Sequence, residues 1–211
     1  MITIPRKFIV VEGPNGSGKS TVISGLEKLM CENDIGYKRT HEPGGGPEFA
    51  AAVRHWLKSG AINPTQHELV MGFMFCRSLN LTQTVVPSLQ SGKVVICDRF
   101  LKSTHVYQGC MGGIPEQDIN MLYEFVSRPF KEIIDKNRID IVLDATPETT
   151  AERMNIRMNS KQEKDRFEGF AKLECGAYAQ VHSKYEKHID ANRPPQAVLE
   201  DVIAAVTVKQ R

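Results

Sequence analysis

The residues from position 13 onward have the types and spacing of a phosphate-binding loop. Gly13-Pro14-Asn15-Gly16-Ser17-Gly18-Lys19-Ser20 matches G-x-x-x-x-G-K-[ST] at each required position. Glycines let the backbone turn tightly, so successive N–H groups can point at phosphate oxygens. Lys19 would add charge at the β- and γ-phosphates of a nucleotide, and the Ser20 hydroxyl can hold Mg²⁺. The predicted nucleotide-binding residues are Gly13, Asn15, Gly16, Ser17, Gly18, Lys19, Ser20 and Thr21.

A second pair of charged residues, Asp98 and Arg99, follows an apolar run at residues 94–97. In proteins with such a loop, an acid at the end of a strand is associated with Mg²⁺, which predicts a metal-holding role for Asp98. By itself, Asp98 could equally cap a turn. Arg99 can make two parallel hydrogen bonds to a phosphate, so it would neutralise an acceptor phosphate and let two anions approach.

The elements that must position these residues alternate between strands and helices. Apolar runs at 8–11, 94–97 and 139–143, with weaker candidates at 36–40 and 187–190, are separated by helical patterns. This alternation predicts an α/β fold of the P-loop NTPase type, with a five-stranded parallel sheet flanked by helices. Ligands bind beyond the carboxyl ends of such strands, so segments 13–20, 42–45, 98–100 and 145–146 should converge.

Several predicted helices have local start signals. Thr65 with Glu68 three residues later forms a capping box before an apolar helix. Thr146 precedes Pro147, which suits the first position of a helix. A turn that includes Pro194 and Pro195 precedes a last helix carrying apolar residues at helical spacing.

Composition indicates one ordinary globular domain over residues 1–211. The net charge of +2 favours neither a nucleic acid nor a membrane as a partner. The cysteines are odd in number and widely spaced, which argues against a disulfide framework or a cysteine metal site. We expect reduced thiols in the cytoplasm, no membrane-spanning segment and no signal peptide. The five cysteines are Cys31, Cys76, Cys97, Cys110 and Cys175.

Basic residues are concentrated between positions 153 and 166. They are Arg153, Arg157, Lys161, Lys164 and Arg166. Such a run usually forms a solvated helix face. The alternative is a short mobile lid, about residues 153–168, that brings arginines to the charge of a transition state.

Taken together, these motifs resemble the thymidylate kinase family. The resemblance is carried by the loop at 13–20, Glu42-Pro43-Gly44-Gly45, Asp98-Arg99-Phe100, Tyr107-Gln108-Gly109 and Asp165-Arg166-Phe167-Glu168. Their order and spacing fit from Phe8 to about Val206. The resemblance implies transfer of the γ-phosphoryl group of ATP, with Mg²⁺, to dTMP. It also implies a homodimer.

The resemblance implies roles for residues that their own spacing does not assign. Phe73 would stack on the pyrimidine and Arg77 would hydrogen-bond its carbonyl edge, although Phe73 alone reads as a core aromatic. Arg99 would hold the acceptor phosphate, and Lys19 and Arg166 would act on the transferred group. The implied substrate-binding residues are Glu42, Pro43, Phe73, Arg77, Arg99, Thr104 and Tyr107; the implied metal residues are Ser20 and Asp98.

Three positions depart from the family pattern. Asn15 stands where the family usually has an acid, His41 where arginine is common, and Val106 where a smaller residue is usual. These departures leave phosphoryl transfer intact but open the choice of acceptor to dUMP or a 5-modified dUMP. A P-loop ATPase or nucleotide switch is a further alternative, although Asp98 is followed by Arg99 and not by a glutamate. A non-catalytic nucleotide-binding module is another.

Overall fold

The computed structural model describes residues 2–46, 48–59, 63–155 and 161–209. Its central sheet has five parallel strands in the order β3-β4-β2-β5-β6, and β1 pairs with β7 in a separate antiparallel ribbon. The parallel five-stranded sheet of the sequence prediction is therefore confirmed. The strands are β1 Ile2–Thr3, β2 Phe8–Glu12, β3 Tyr37–His41, β4 Val94–Asp98, β5 Arg138–Asp144, β6 Glu186–Asp190 and β7 Val208–Lys209.

Helices connect these strands and cover both faces of the sheet. They are α1 Lys19–Glu32, α2 Glu48–Lys58, α3 Gln66–Asn80, α4 Val86–Gln90, α5 Leu101–Thr104, α6 Glu116–Ser127, α7 Lys131–Asn137, α8 Pro147–Asn155, α9 Lys161–Gln180 and α10 Pro195–Val206. Wider, π-helical turns occupy Leu81–Val85 and His105–Cys110, and a 3₁₀ turn occupies Arg128–Phe130.

The predicted helix starts are present. Thr65 Oγ1 accepts a hydrogen bond from the Glu68 N–H at 3.3 Å, and Glu68 Oε2 accepts one from the Thr65 N–H at 2.6 Å. This reciprocal box begins α3. Thr146 Oγ1 accepts from the Thr149 N–H at 3.2 Å at the start of α8. The last helix is also present, but it begins at Pro195, which the sequence had placed in the preceding turn.

Alternating side chains of the central strand divide the core into two layers. Ile9 and Val11 of β2 pack with α1 and α10, whereas Phe8 and Val10 pack with the helical turn that follows α3 and with α7. Every residue of β2 is buried. A strand buried on both faces reads as a continuous apolar run, which is why residues 8–11 were recognisable from the sequence.

One continuous helical stretch, Gln66–Gln90, is long and apolar enough to cross a membrane by length and composition alone. From the sequence alone, no such segment was expected. In the fold, 56% of its most apolar window is buried inside the protein. The stretch also carries Arg77, whose side chain is 2% exposed. Core helices of water-soluble folds meet the same criterion, so length and composition say little here.

Candidate active site

The loop after β2 turns so tightly that a side chain does not fit at position 13. Gly13 has φ 143°, and a Cβ added there would lie 2.8 Å from both Leu143 O and Ser17 Oγ. The helix α1 begins at Lys19, directly after Gly18, so the positive end of the helix dipole lies at the loop. A tight turn followed by a helix start is compatible with the phosphate-binding loop that the sequence pattern predicts.

Lys19 lies folded back along this loop. Its Nζ donates to Gly13 O and to Pro14 O, both at 2.8 Å. Burial lowers the pKa of Lys19 from its ordinary value to about 7, and the charge of Arg99 acts in the same direction. An anionic phosphate at the loop would favour the charged ammonium.

Two cavities meet at the carboxyl end of the sheet. The first measures about 520 Å³ and lies between β4, α3 and the turn after β3. The second measures about 490 Å³ and lies over the loop and the start of α1. Three residues, Asn15, Asp98 and Arg99, line both cavities. Two ligands could therefore approach one another across these side chains.

Asp98 and Ser17 carry buried oxygens suited to a cation. Asp98 Oδ1 and Ser17 Oγ are both buried without a hydrogen-bond partner in the described part of the chain. Ser20 lines the second cavity together with Asp98. Hard cations such as Mg²⁺ prefer oxygen ligands, so the donor set fits this ion.

Arg99 is held in a strained backbone conformation at the junction of the cavities. Its φ of 68° lies in the left-handed region, which costs a non-glycine residue about 1–3 kcal/mol. Its guanidinium donates to Ser103 Oγ at 3.0 Å, Tyr178 Oη at 2.5 Å and Asn15 Oδ1 at 3.0 Å. These contacts fix the orientation of the Arg99 guanidinium.

Glu12 anchors the segment that carries Arg99. This fully buried carboxylate accepts from Phe100 N at 2.7 Å, Ser103 N at 3.2 Å and Ser103 Oγ at 2.6 Å. This role of Glu12 was not predicted from the sequence. The available signal was an acid at the end of an otherwise apolar strand.

A buried polar network forms one wall of the first cavity. Glu42 Oε2 accepts from Arg77 Nε at 2.6 Å, and Glu42 Oε1 accepts from Asn80 Nδ2 at 3.1 Å. Arg77 also donates to Thr104 Oγ1 at 3.1 Å. Burial raises the pKa of Glu42, and Arg77 opposes that rise.

The structure brings the sequence-predicted acceptor residues to this cavity. Its lining includes all seven of the residues predicted to bind substrate: Glu42, Pro43, Phe73, Arg77, Arg99, Thr104 and Tyr107. Phe73 is also mostly buried, at 9% exposure, so it serves the core and the cavity at once.

Arg54 of α2 is a cavity residue that sequence reasoning missed. Its Nε is buried and has no hydrogen-bond partner among the residues described. It lies against the turn after β3, because a Cβ at Gly44 would be 2.6 Å from Arg54 Cδ. A third arginine therefore borders the cavity beside Arg77 and Arg99. Nothing in the local sequence distinguishes it from a surface arginine.

Comparison with known proteins agrees with this geometry. The sequence model described as "Thymidylate kinase" matches residues 11–202. A thymidylate kinase of Clostridium novyi is 34% identical, over 92% of this chain and 95% of its own. One from Symbiobacterium thermophilum is also 34% identical (92% and 90%), and one from Chlamydia abortus is 30% identical (95% and 95%). The chain belongs to the thymidylate kinase family.

The three departures from the family pattern occupy different environments in this family member. Asn15 and His41 both line the first cavity. Val106 is fully buried and packs with Ala177 and Tyr178 of α9, away from the cavity lining. Only the first two could therefore touch an acceptor directly.

The lid prediction falls largely on residues outside the description. Arg157 lies outside the described residues, and Lys161, Lys164 and Arg166 belong to α9 with side chains that are not described. The role of Arg166 thus stays a prediction. Arg153 is described: its guanidinium donates to Gly16 O and Ser17 O, each at 3.4 Å, and to Ala191 O at 2.9 Å.

Proposed function

We propose that this member of the family transfers the γ-phosphoryl group of ATP to dTMP, giving ADP and dTDP. The observation that carries the proposal is the junction of two nucleotide-sized cavities at Asn15, Asp98 and Arg99. The names of the relatives support the choice of reaction. ATP would occupy the cavity over the loop, and the monophosphate would occupy the cavity beside α3.

In this arrangement catalysis is alignment and neutralisation of charge. The acceptor is a phosphate oxygen that is already anionic near neutral pH, so no strong general base is required. Arg99 and Arg54 would hold the acceptor phosphate, and Lys19 would follow the transferred group. Arg166 of the proposed lid would stabilise the same charge.

The acceptor nucleoside would lie along the wall built from α3 and α5. Phe73 would stack on the pyrimidine ring, while Arg77 and Thr104 would contact its polar edge. Tyr107 would pack under the deoxyribose, and the turn at Glu42 and Pro43 would complete the enclosure. The buried ion pair behind this wall supports the assignment, because it keeps Arg77 in place at the cavity surface.

Ser20 and Asp98, which both line the second cavity, would hold Mg²⁺. The ion would neutralise charge on the β- and γ-phosphates. The buried, unpartnered Asp98 Oδ1 supports this role, as judged within the described residues.

We further propose that the enzyme is a homodimer. Helices α3 and α6 pack together through Val70, Met74 and Ile119. Each also carries two exposed large apolar side chains four residues apart: Met71 and Phe75 on α3, Met121 and Phe125 on α6. Exposed apolar surface on adjacent helices is typical of a protein interface.

Three further features are part of the proposal. Residues 1–211 would act as one catalytic domain in the cytoplasm, and residues 153–168 would close as a lid. Five cysteines without disulfides, of which Cys31 and Cys110 are exposed, support a reducing compartment.

The test of the reaction is ADP formation with ATP·Mg²⁺ and a panel of monophosphates. The panel is dTMP, dUMP, 5-hydroxymethyl-dUMP, dCMP, dGMP and UMP. We expect dTMP to give the highest kcat/KM. Preference for a 5-modified dUMP would keep the mechanism but overturn the acceptor, and would direct attention to His41, which lines the cavity. ADP formation that does not depend on any acceptor would favour an ATPase or switch.

A further inference from the structure

A buried carboxylate from α9 stands directly behind the junction of the two cavities. Glu174 is fully buried. Its Oε2 accepts from Asn15 N at 3.1 Å, and its Oε1 accepts from Asn15 Nδ2 at 3.0 Å and also from Tyr107 Oη. Glu174 does not line either cavity, but Asn15 and Tyr107 both line the first. Any effect on a ligand would therefore pass through these two residues.

Both polar atoms of the Asn15 side-chain amide form hydrogen bonds. Its Nδ2 donates to Glu174, and its Oδ1 accepts from Arg99 at 3.0 Å. The reverse amide orientation would place an oxygen against a carboxylate and N–H groups against a guanidinium, so the network allows one orientation only. A neutral amide thus links the buried Glu174 carboxylate to the partly buried Arg99 guanidinium.

An aspartate at position 15 could not perform this linkage beside an ionised Glu174. Its carboxylate would still accept from Arg99, but the second oxygen would face the Glu174 carboxylate at the separation now spanned by a hydrogen bond of 3.0 Å. Two carboxylates at that distance cannot both stay ionised without a large penalty. The amide at position 15 and the acid at position 174 are therefore complementary.

We propose that Glu174 is the positioning carboxylate of the acceptor site, and that Asn15 must be an amide because residue 174 is an acid. Glu174 holds the loop through Asn15 and fixes Tyr107, whose ring lies 5.2 Å from Arg99 Cζ. The negative charge that balances Arg99 and Lys19 thus comes partly from a helix far away in sequence. Its effect on catalysis rests on the proposed function; its effect on stability does not.

The test is a charge-swap cycle with N15D, E174Q and the double variant N15D/E174Q. We expect N15D to lower Tm and to reduce kcat/KM for the acceptor by about tenfold or more, as contacting residues couple strongly. E174Q should raise the acceptor KM more than the ATP KM, because Tyr107 belongs to the acceptor cavity. The double variant should recover part of both losses, since it returns a single acid to the pair.

A matched control is K172Q, which removes a charge from an exposed side chain of the same helix. It should leave Tm and both KM values unchanged. Additive losses in the double variant, or an N15D protein with the stability and kinetics of the parent, would overturn the proposal. If N15D does not fold, Y107F and E174Q provide a second cycle, in which their effects on acceptor KM should be less than additive.

The stability readings separate this inference from the proposed function. A protein without acceptor-dependent activity would remove the dTMP assignment, yet the coupling between positions 15 and 174 would still be measured by thermal unfolding. Coupling in Tm without a shift in acceptor KM would contradict the positioning role of Glu174.

Discussion

Arg77 and Glu42 form an ion pair that is almost completely removed from solvent. Arg77 Nε lies 2.6 Å from Glu42 Oε2, with side-chain exposures of 2% and 3%. The pair joins α3 to the turn after β3, and Asn80 and Thr104 complete its hydrogen bonds. The pair also lies at the wall of the first cavity, which we propose holds the acceptor.

Removal of one partner of the Arg77–Glu42 pair should therefore lower the stability of the protein strongly. We expect Glu42→Ala to lower the free energy of unfolding by about 3–5 kcal/mol, because it leaves a buried guanidinium without its counter-charge. The matched control is Glu124→Ala, which removes an exposed pair with Lys131 at 3.0 Å and should cost under about 1 kcal/mol. Chemical denaturation measures both. Equal losses in the two variants would contradict the assigned weight of the buried pair.

The turnover number should fall even with a conservative substitution of Arg99. We expect Arg99→Lys to reduce kcat by about 10²–10³-fold, since a lysine keeps the charge but not the fork of donors aimed at a phosphate. Steady-state kinetics with ATP and dTMP gives the number, and Arg128→Lys at an exposed position of the 3₁₀ turn is the control. Near-normal turnover in Arg99→Lys would remove this residue from the mechanism.

Stacking by Phe73 should appear as an acceptor-specific effect. We expect Phe73→Leu to raise the KM for dTMP by about tenfold, with little change in the KM for ATP, since stacking on a base is worth about 1–3 kcal/mol. Phe125→Leu, at a side chain that is 74% exposed, should change neither value. A parallel rise in both KM values would indicate a packing defect instead.

His105 should make stability depend on pH. Burial lowers its pKa; Glu116 opposes the shift, and Arg77 and Lys102 reinforce it. The unfolded chain, with a histidine pKa of about 6.5, therefore binds the proton more readily than the folded protein. The stability contribution is fully present above that value and is lost as pH falls toward the folded pKa.

The measurement is the free energy of unfolding, followed from about pH 7.5 to about pH 5.5 across the ordinary histidine pKa. We expect it to fall more steeply in the parent protein than in His105→Asn. His67→Asn changes an exposed histidine of α3 and should keep the parental slope. An unchanged slope in His105→Asn would show that other groups govern the acid limb.

The proposed dimer face can be tested by charge. Met121→Glu combined with Phe125→Glu, at side chains that are 64% and 74% exposed, should convert a dimer into a monomer without a loss of helical content. Light scattering after size exclusion gives the mass. Leu173→Glu, at a similarly exposed apolar position of α9, should leave the mass unchanged. A dimer that survives the double substitution would move the interface elsewhere.

Local patterns in the sequence were sufficient to predict the strands and helices and the candidate site residues that lie next to them. The run at 8–11 is a strand buried on both faces, Thr65 begins a helix with its own capping box, and Gly13 stands where a side chain does not fit. Asp98 is the last residue of β4, and Arg99 is the next residue. In each case the interactions that determine the local structure span only a few residues. Residue type and spacing are therefore enough to predict it.

The polar side chains that support the candidate site could not be predicted, because their roles depend on contacts between segments far apart in the sequence. Glu174 lies 159 residues from Asn15, and Tyr178 lies 166 residues from Glu12. Arg54 reaches the first cavity only because α2 packs beside the turn after β3. A carboxylate or arginine on a helix has the same local signature whether it faces water or a buried partner. Only the tertiary packing removes it from solvent and gives it a partner.

The sequence by itself determined the sheet, the phosphate loop and the strand-end residues, because hydrophobic periodicity and glycine turns are local properties. The tertiary structure decided how charge is distributed around the junction of the cavities. In particular, the sequence showed only that position 15 carries no acid, whereas the fold places Glu174 against its amide. Burial and proximity, not residue type, bring that carboxylate into contact with Asn15 and Tyr107, which line the first cavity.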